Sequence, residues 1–138
     1  MAPVDALIDS GPLVGFLDAS DQWHDFALSA FARVRFPAYT CEAVLSEAAY
    51  LLRSSVRARA ALLEMVDTGA LCVLPVFPDG REYVRLAMAK YGVRSDLADI
   101  GLLWLTESHP AAVIVTTDRR DFVRYRLSTG RLPKLIRP

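Results

Sequence analysis

Several features that often identify a protein's class are scarce in this sequence of 138 residues. It has only two cysteines, Cys41 and Cys72, which is too few for the disulfide framework of a small secreted domain. No apolar run reaches the roughly 18 residues of a membrane-spanning helix. The N-terminus, Met1–Asp5, lacks the basic start and apolar run of a secretory signal. These absences predict a cytoplasmic protein in a reducing compartment, without a membrane partner.

The sequence also has no net charge, because its 16 basic residues balance its 16 acidic residues. This balance argues against a general polyanion binder. The charges are unevenly placed, however: residues 1–52 carry seven acids and two bases, whereas residues 119–138 carry seven bases and one acid. Such asymmetry fits either an acidic site beside a basic surface or a solvated basic tail. The composition, 53% hydrophobic and 23% charged, excludes intrinsic disorder and predicts one globular domain over residues 1–138.

Short apolar runs rich in β-prone residues alternate with longer helical patterns along the chain. Each run is too short for a helix and predicts a buried strand. The predicted strands are Val4–Ile8, Phe36–Tyr39, Leu71–Leu74, Ala112–Thr117 and, with a weaker pattern, Leu132–Ile136. The predicted helices span 12–19, 21–34, 40–54, 56–68, 79–91, 95–108 and, more briefly, 119–126. This alternation predicts an α/β fold, a three-layer α/β/α sandwich around a mostly parallel sheet.

Two aspartates stand at the carboxyl ends of predicted strands. Asp9 follows the apolar run that ends at Ile8, and Asp118 follows the run 111–117. Ligands of open α/β sheets bind outside the carboxyl ends of the strands, so the two acids would lie close together there. Either residue taken alone is explained equally well as a turn or helix-capping aspartate.

Two further acids lie on apolar faces of predicted helices. Glu47 shares a face with Val44, and Asp99 shares a face with Asp96. A carboxylate is seldom buried unless it is paired or binds a metal. The alternatives are a polar stripe or an ion pair with an arginine. Asp96 is also explained by its place after Ser95, a suitable N-cap, near the positive end of the helix dipole.

Four inward acids without a matching set of buried bases would repel one another, and a hard divalent cation with oxygen ligands would relieve that repulsion. Zinc fits less well, because it prefers Cys and His, and those residues show no close ligand spacing here. The sequence contains no Walker A loop, GxGxxG or GxSxG motif. Carboxylate-held Mg²⁺ or Mn²⁺ without a nucleotide motif points to phosphodiester hydrolysis.

At these residues the sequence resembles the PIN-domain ribonucleases, in particular the VapC-type toxins of bacterial toxin–antitoxin pairs. That family has an apolar strand ending in Asp, a Glu inside an apolar helix, an Asp opening a helix, and a Thr-x-Asp pattern closing a strand. The matching segments, in the same order, are Leu7–Val14, Val44–Leu52, Leu97–Leu103 and Thr116–Phe122. The resemblance therefore covers nearly the whole chain.

The resemblance implies a Mg²⁺- or Mn²⁺-dependent endoribonuclease in which four acids hold the metal and orient a water. Those catalytic and metal-holding acids would be Asp9, Glu47, Asp99 and Asp118. Ser10 and Thr116 would support them through hydrogen bonds. Asp96 is an additional candidate ligand, one turn before Asp99. The resemblance also implies an RNA substrate and a small antitoxin whose basic tail folds over the acidic cleft.

An acidic site repels an RNA backbone, so an adjacent basic surface is expected. Arginine suits that role because its planar fork grips a phosphate with two hydrogen bonds. The candidate RNA-binding residues follow Asp118 closely and are Arg119, Arg120, Arg124 and Arg126. The alternative is that this segment is solvated, with RNA docking instead on the helix that carries Arg53, Arg57 and Arg59.

Other functions fit parts of the same pattern. A PIN-domain nuclease of RNA processing, or a catalytically silent binding module with the same fold, would carry similar motifs. A receiver-like domain needs a lysine after a late strand, which neither Lys90 nor Lys134 supplies. A haloacid-dehalogenase-type phosphatase needs Asp-x-Asp at the first strand, and Asp9-Ser10-Gly11 does not supply it. The apolar helices Leu13–Phe16 and Phe26–Phe31 fit either a homodimer interface or the core, and we expect the core.

Overall fold

A five-stranded sheet forms the centre of the computed structural model, which describes residues 3–138; Met1 and Ala2, the first residues of the N-terminal segment discussed above, lie outside them. The strands are β1 (Ala6–Ile8), β2 (Ala38–Thr40), β3 (Leu71–Val73), β4 (Val113–Val115) and β5 (Leu135–Ile136). The helices are α1 (Ser10–Leu17), α2 (His24–Arg33), α3 (Glu42–Leu51), α4 (Val56–Asp67), α5 (Arg81–Tyr91) and α6 (Leu97–Ser108). A 3₁₀ turn, Gly92–Arg94, links α5 to α6.

The strand order is β3-β2-β1-β4-β5, and every neighbouring pair is parallel. Strand β1 is central, with Leu7 opposite Tyr39 of β2 on one side and Ile114 of β4 on the other. The chain first builds the sheet outward through β2 and β3 and then crosses to β4, so the strand order reverses between β1 and β4. A reversal of this kind opens a crevice at the carboxyl ends of the two strands.

Helices pack on both sides of this sheet. Helix α1 packs against α2, α3 and α4, and α5 packs against α6, while α3 and α6 also contact each other. Right-handed crossovers between parallel strands place these two groups on opposite faces. The predicted α/β fold with a parallel sheet is therefore confirmed. No helix within residues 3–138 is both long and apolar enough to cross a bilayer.

The core explains why the strands are continuous apolar runs. The three residues of β1 are fully buried, as expected for a central strand covered by helices on both faces. Helix α6 is also buried on most of its surface, from Ala98 to Thr106. Leu13 of α1 and Phe31 of α2 lie in the same core, as expected for those two helices.

The segment predicted as a helix at 119–126 is a single turn instead. The backbone N–H groups of Arg124 and Tyr125 donate to the Asp121 carbonyl, at 3.1 and 3.3 Å, and the helix goes no further. Phe122 and Tyr125 are fully buried, so tertiary packing rather than helical periodicity fixes this segment. The strands are also shorter than predicted, because the flanking residues Phe36–Pro37 and Thr116–Thr117 belong to loops.

Gly11 allows the first turn of α1 to pack directly against the loop that follows β4. A Cβ atom added to Gly11 would lie 1.9 Å from Thr117 Oγ1 and 3.0 Å from Thr117 Cβ. Any larger residue must therefore displace Thr117, which lies next to two of the predicted site residues.

Gly11→Ala is expected to lower the free energy of unfolding by about 1–3 kcal/mol, the usual cost of overpacking. Urea denaturation measures this change. In a Thr117→Ala background the nearest atom is removed, so the same glycine substitution should cost much less. An equal cost in both backgrounds would contradict the proposed clash.

Candidate metal centre

One threonine hydroxyl links the two acids that follow strands β1 and β4. Asp9 is buried and caps α1, and its carboxylate accepts hydrogen bonds from Ser10 N at 2.8 Å and from Thr116 Oγ1 at 2.7 Å. The same Thr116 oxygen accepts a hydrogen bond from Asp118 N at 2.9 Å. The crevice at the strand reversal thus brings the first and fourth predicted acids together.

Glu47 joins this group through Ser10. The Ser10 hydroxyl donates to Glu47 Oε1 from the first turn of α1. Glu47 is half-buried on α3, next to the buried Val44 and Ala48 of the apolar face. The two hydroxyls named from the family resemblance, Ser10 and Thr116, therefore each contact one acid of the group.

The start of α6 supplies the third predicted acid. Asp96 is the N-cap, and its Oδ1 accepts a hydrogen bond from Asp99 N at 2.8 Å. Asp96 is exposed, whereas Asp99 is only 7% exposed. Asp96 itself, rather than Ser95, thus performs the capping, and this role explains its position without a metal.

Tyr125 and Asp121 are site residues that the sequence analysis missed. The buried Tyr125 hydroxyl donates to Asp99 Oδ2 at 3.0 Å. Carboxylate oxygens of Asp99, Asp118 and Asp121 lie within 4.8 Å of one another, close enough to share a cation. The sequence did contain one signal for Asp121: it lies three residues after Asp118 and directly before the apolar Phe122, in the segment that follows a predicted strand.

The charge on Asp121 is already balanced. Its Oδ1 accepts hydrogen bonds from Arg94 Nη2 at 3.2 Å and from Arg124 Nε at 3.3 Å. Asp118 is held differently, because its Oδ1 accepts the backbone N–H groups of Arg120 and Asp121. Asp121 therefore serves as an anchor for two arginines, whereas Asp118 keeps its second oxygen for a ligand.

Burial makes the charged forms of two of these acids unfavourable. Desolvation raises the pKa of Asp9 to about 6, against the lowering effect of the Thr116 and Ser10 hydrogen bonds and with a further rise from the charge of Glu47. Desolvation also raises the pKa of Asp99 to about 8, and the charges of Asp9 and Asp96 add to that rise. These acids therefore sense one another as like charges in a poorly solvated crevice.

None of the four predicted acids pairs with an arginine or lysine of residues 3–138. The salt bridges within residues 3–138 involve only Asp5 and Asp121 as acids. The alternative of an ion pair for Glu47 or Asp99 therefore finds no support in the described part of the chain. Arg94 and Arg124 reach the cluster only through Asp121. The carboxylate oxygens of the four predicted acids, supported by hydroxyl donors, are the type of ligand that Mg²⁺ and Mn²⁺ prefer.

The four predicted RNA-binding arginines occupy different environments. Arg119 and Arg120 are exposed beside Asp118, and the Arg119 guanidinium lies 5.9 Å from the centre of the Trp23 ring. Arg124 is half-buried, is paired with Asp121, and donates from Nη1 to the Tyr91 carbonyl at 3.4 Å. Arg126 is exposed. Three of the four can therefore reach a ligand from the surface, whereas Arg124 is held inside the protein.

The metal-free protein is expected to become more stable as the pH falls from about 9 to about 6. Folded Asp99 keeps its proton up to about pH 8 and folded Asp9 up to about pH 6, whereas both lose it at lower pH in the unfolded chain, so stability falls as the pH rises toward about 8 and levels off above it. Urea unfolding in EDTA across this range measures the effect. Asp99→Asn should flatten the slope between about pH 6 and about pH 8. Asp96→Asn keeps a good N-cap and removes only a like charge near Asp99, so it should flatten the slope less. Stability that increases with pH would contradict the assignment.

Tyr125→Phe is expected to weaken Mn²⁺ binding by about 10–100-fold, the usual effect of losing a group that orients a metal ligand. The substitution keeps the buried ring and removes only the hydroxyl that donates to Asp99. Calorimetric titration with Mn²⁺ measures the affinity. Tyr91→Phe removes a hydroxyl that bonds Arg126 N instead and should leave the affinity unchanged. Equal affinities for Tyr125→Phe and the parent protein would show that the hydroxyl has no orienting role.

Comparison with known structures finds the same fold in several solved structures, three of which are described here. VapC20 from Mycobacterium tuberculosis, described as a toxin that cleaves the sarcin–ricin loop, aligns with a TM-score of 0.71 and 18% identity over 80% of this chain and 87% of its own. VapBC2 from Rickettsia felis, bound to a DNA fragment from its promoter, aligns with a TM-score of 0.64 and 14% identity over 98% of this chain and 99% of its own. DNA-bound VapBC from Salmonella typhimurium aligns with a TM-score of 0.61 and 16% identity over 97% of this chain and 98% of its own.

Comparison by sequence identifies a family but no individual curated relative. No curated protein matches the chain. A family model for the PIN domain, however, matches residues 6–127, which include every acid of the candidate centre. The chain belongs to the PIN-domain family.

Proposed function

We propose that this protein is a Mg²⁺- or Mn²⁺-dependent endoribonuclease and the toxin of a toxin–antitoxin pair. The observation that carries the proposal is that carboxylate oxygens of Asp99 and Asp118 lie close enough to share a cation, while Asp9 and Glu47 lie beside them and form no salt bridge among the described residues. Membership of the PIN-domain family supports it, as does the fold shared with a toxin described as cleaving the sarcin–ricin loop.

Each acid has a defined part in the proposed hydrolysis. Asp9, Asp99 and Asp118 would hold the cation, and Thr116 and Tyr125 fix two of these carboxylates in orientation. A bound divalent cation supplies Lewis acidity that activates water and stabilises the leaving oxygen. Glu47 Oε1 is held by the Ser10 hydroxyl, so Oε2 would orient the attacking water and accept its proton. Arg119 and Arg120, exposed next to Asp118, would contact the RNA phosphates.

An antitoxin partner is the second part of the proposal. A groove of about 590 Å³ borders the centre, and its largely apolar lining includes Cys41, Val76, Phe77 and Leu97, the residue after Asp96. Phe77 is 50% exposed. A basic tail with apolar side chains would fill this groove and cover the acids. The VapBC assemblies with the same fold support such a pairing.

Removal of divalent cations is expected to abolish RNA cleavage, and Mg²⁺ or Mn²⁺ should restore it. Asp99→Asn should reduce cleavage more than about 100-fold, because even groups that only support a ligand are worth about 10–100-fold. Asp96→Asn should cost less than about tenfold, since it removes an exposed carboxylate and keeps the helix cap. Gel-based cleavage of RNA, with and without EDTA, measures these effects.

Full cleavage in EDTA would overturn the metal-dependent mechanism. A larger loss in Asp96→Asn than in Asp99→Asn would make Asp96 the third ligand. If metal binds but RNA stays intact, the PIN fold acts here as a silent binding module.

If a small protein is encoded immediately upstream, where the proposed function places the antitoxin gene, its co-expression is expected to yield a complex in which RNA cleavage is blocked. Phe77→Ala should weaken this complex at least tenfold, about 1.4 kcal/mol, as for a truncated interface anchor. Tyr50→Ala, an exposed aromatic side chain on α3 outside the groove, should not. Affinity measurements by calorimetry compare the variants. A protein that is harmless on expression and binds no such partner would instead be a PIN nuclease of RNA processing.

A further inference from the structure

A second groove, of about 430 Å³, lies between α5 and the chain after Tyr125. Its aromatic and basic lining residues are Tyr83, Lys90, Tyr91 and Arg126, and none of the described residues that line it is acidic. The groove beside Phe77 differs in charge, because its lining includes the acid Glu42 and no base. The candidate centre is therefore bordered by one basic, aromatic groove and one acidic, apolar groove.

The basic groove is separated from the acids by one side chain. The Tyr91 ring, which lines the groove, packs edge-on against Tyr125 with ring centres 4.9 Å apart. On its other side the Tyr125 hydroxyl donates to Asp99. The groove therefore lies on the other side of the Tyr91–Tyr125 pair from Asp99.

Arg126 is arranged for binding an anion. Its Nη1 atom donates to the carbonyls of Val123 and Tyr125, at 2.9 and 3.0 Å, and its backbone N–H donates to the Tyr91 hydroxyl at 2.9 Å. These bonds hold one corner of the guanidinium and leave the edge formed by Nε and Nη2 for a ligand. A guanidinium held in this way loses little conformational entropy when it binds a phosphate with two hydrogen bonds.

Lys90 supplies the second cation of the groove. Its Nζ lies 5.2 Å from the centre of the Tyr91 ring, and the side chain is exposed. Neither Lys90 nor Arg126 forms a salt bridge within residues 3–138, whereas the nearby Arg94 and Arg124 both pair with Asp121. The one acid bonded to the lining is Glu107, which accepts hydrogen bonds from Ser128, so Lys90 and Arg126 are the groove's cations without an acidic partner among the described residues.

We propose that this groove binds a single-stranded segment of the RNA substrate next to the bond that is cleaved, with Lys90 and Arg126 on two phosphates and a tyrosine beside a base. Cationic grooves with aromatic side chains are the usual means of holding single strands without sequence preference. The acids of the centre repel the same phosphates, so an adjacent basic site is needed to keep the strand in place. This inference rests on the proposed ribonuclease function.

The test is the salt dependence of RNA binding by the whole protein in EDTA, where cleavage is not expected. Fluorescence anisotropy with a labelled single-stranded RNA gives the affinity at several salt concentrations. The Lys90→Gln, Arg126→Gln double variant should reduce the slope of log affinity against log salt by about 1.4, from about 0.7 for each lost contact. The matched control is Arg33→Gln with Arg35→Gln, which removes two exposed charges at and just after the end of α2 and should leave the slope unchanged.

Three results would overturn the inference: an unchanged slope in the double variant, an equal change in the control, or loss of antitoxin binding while RNA binding stays normal. The last result would make the groove a site for an acidic peptide. Failure of the ribonuclease proposal is separately visible, because metal-dependent cleavage by the unaltered protein is measured independently. Cleavage with an unchanged slope rejects only the groove, whereas a changed slope without cleavage supports the groove and rejects the activity.

Discussion

The burial of carboxylates, to which repulsion between them adds, is the constraint on which the rest of this structure depends. Each unit of pKa shift corresponds to about 1.4 kcal/mol, so an Asp99 pKa of about 8 means that ionising this group in the metal-free protein costs on the order of several kcal/mol. Domains are stable by only about 5–15 kcal/mol in total. The buried acids therefore lower the free energy of unfolding of the metal-free protein, as is common at sites that bind a ligand.

The surrounding fold limits that cost and keeps the acids in place. Hydrogen-bond donors come from three separate parts of the chain: Ser10 at the start of α1, Thr116 after β4 and Tyr125 in the C-terminal turn. Each donates a hydroxyl to a carboxylate and adds no positive charge. The site is thus ordered but not neutralised, which leaves the negative charge available to a cation.

Periodicity and strand position predicted the parts of the site that depend on local sequence. Asp9 and Asp118 could be placed together because carboxyl ends of parallel strands meet at one edge, and Glu47 could be placed on an inward face from the spacing of its apolar neighbours. The family resemblance pointed to Ser10 and Thr116. Tertiary packing determined the rest: the buried Phe122 and Tyr125 replace a predicted helix by one turn and bring Tyr125 to Asp99. The groove of Lys90 and Arg126 joins distant segments and has no local signal.

Proton release on metal binding tests the central claim most directly. At pH 7 most Asp99 carboxyls in the metal-free protein should carry a proton, which a cation must displace. Calorimetric titration with Mn²⁺ in buffers of different ionisation enthalpy counts the released protons. The account predicts saturable binding with release of about one proton at pH 7, and much less release in Asp99→Asn. Absence of saturable binding, or binding without proton release, would show that these acids do not form a metal centre.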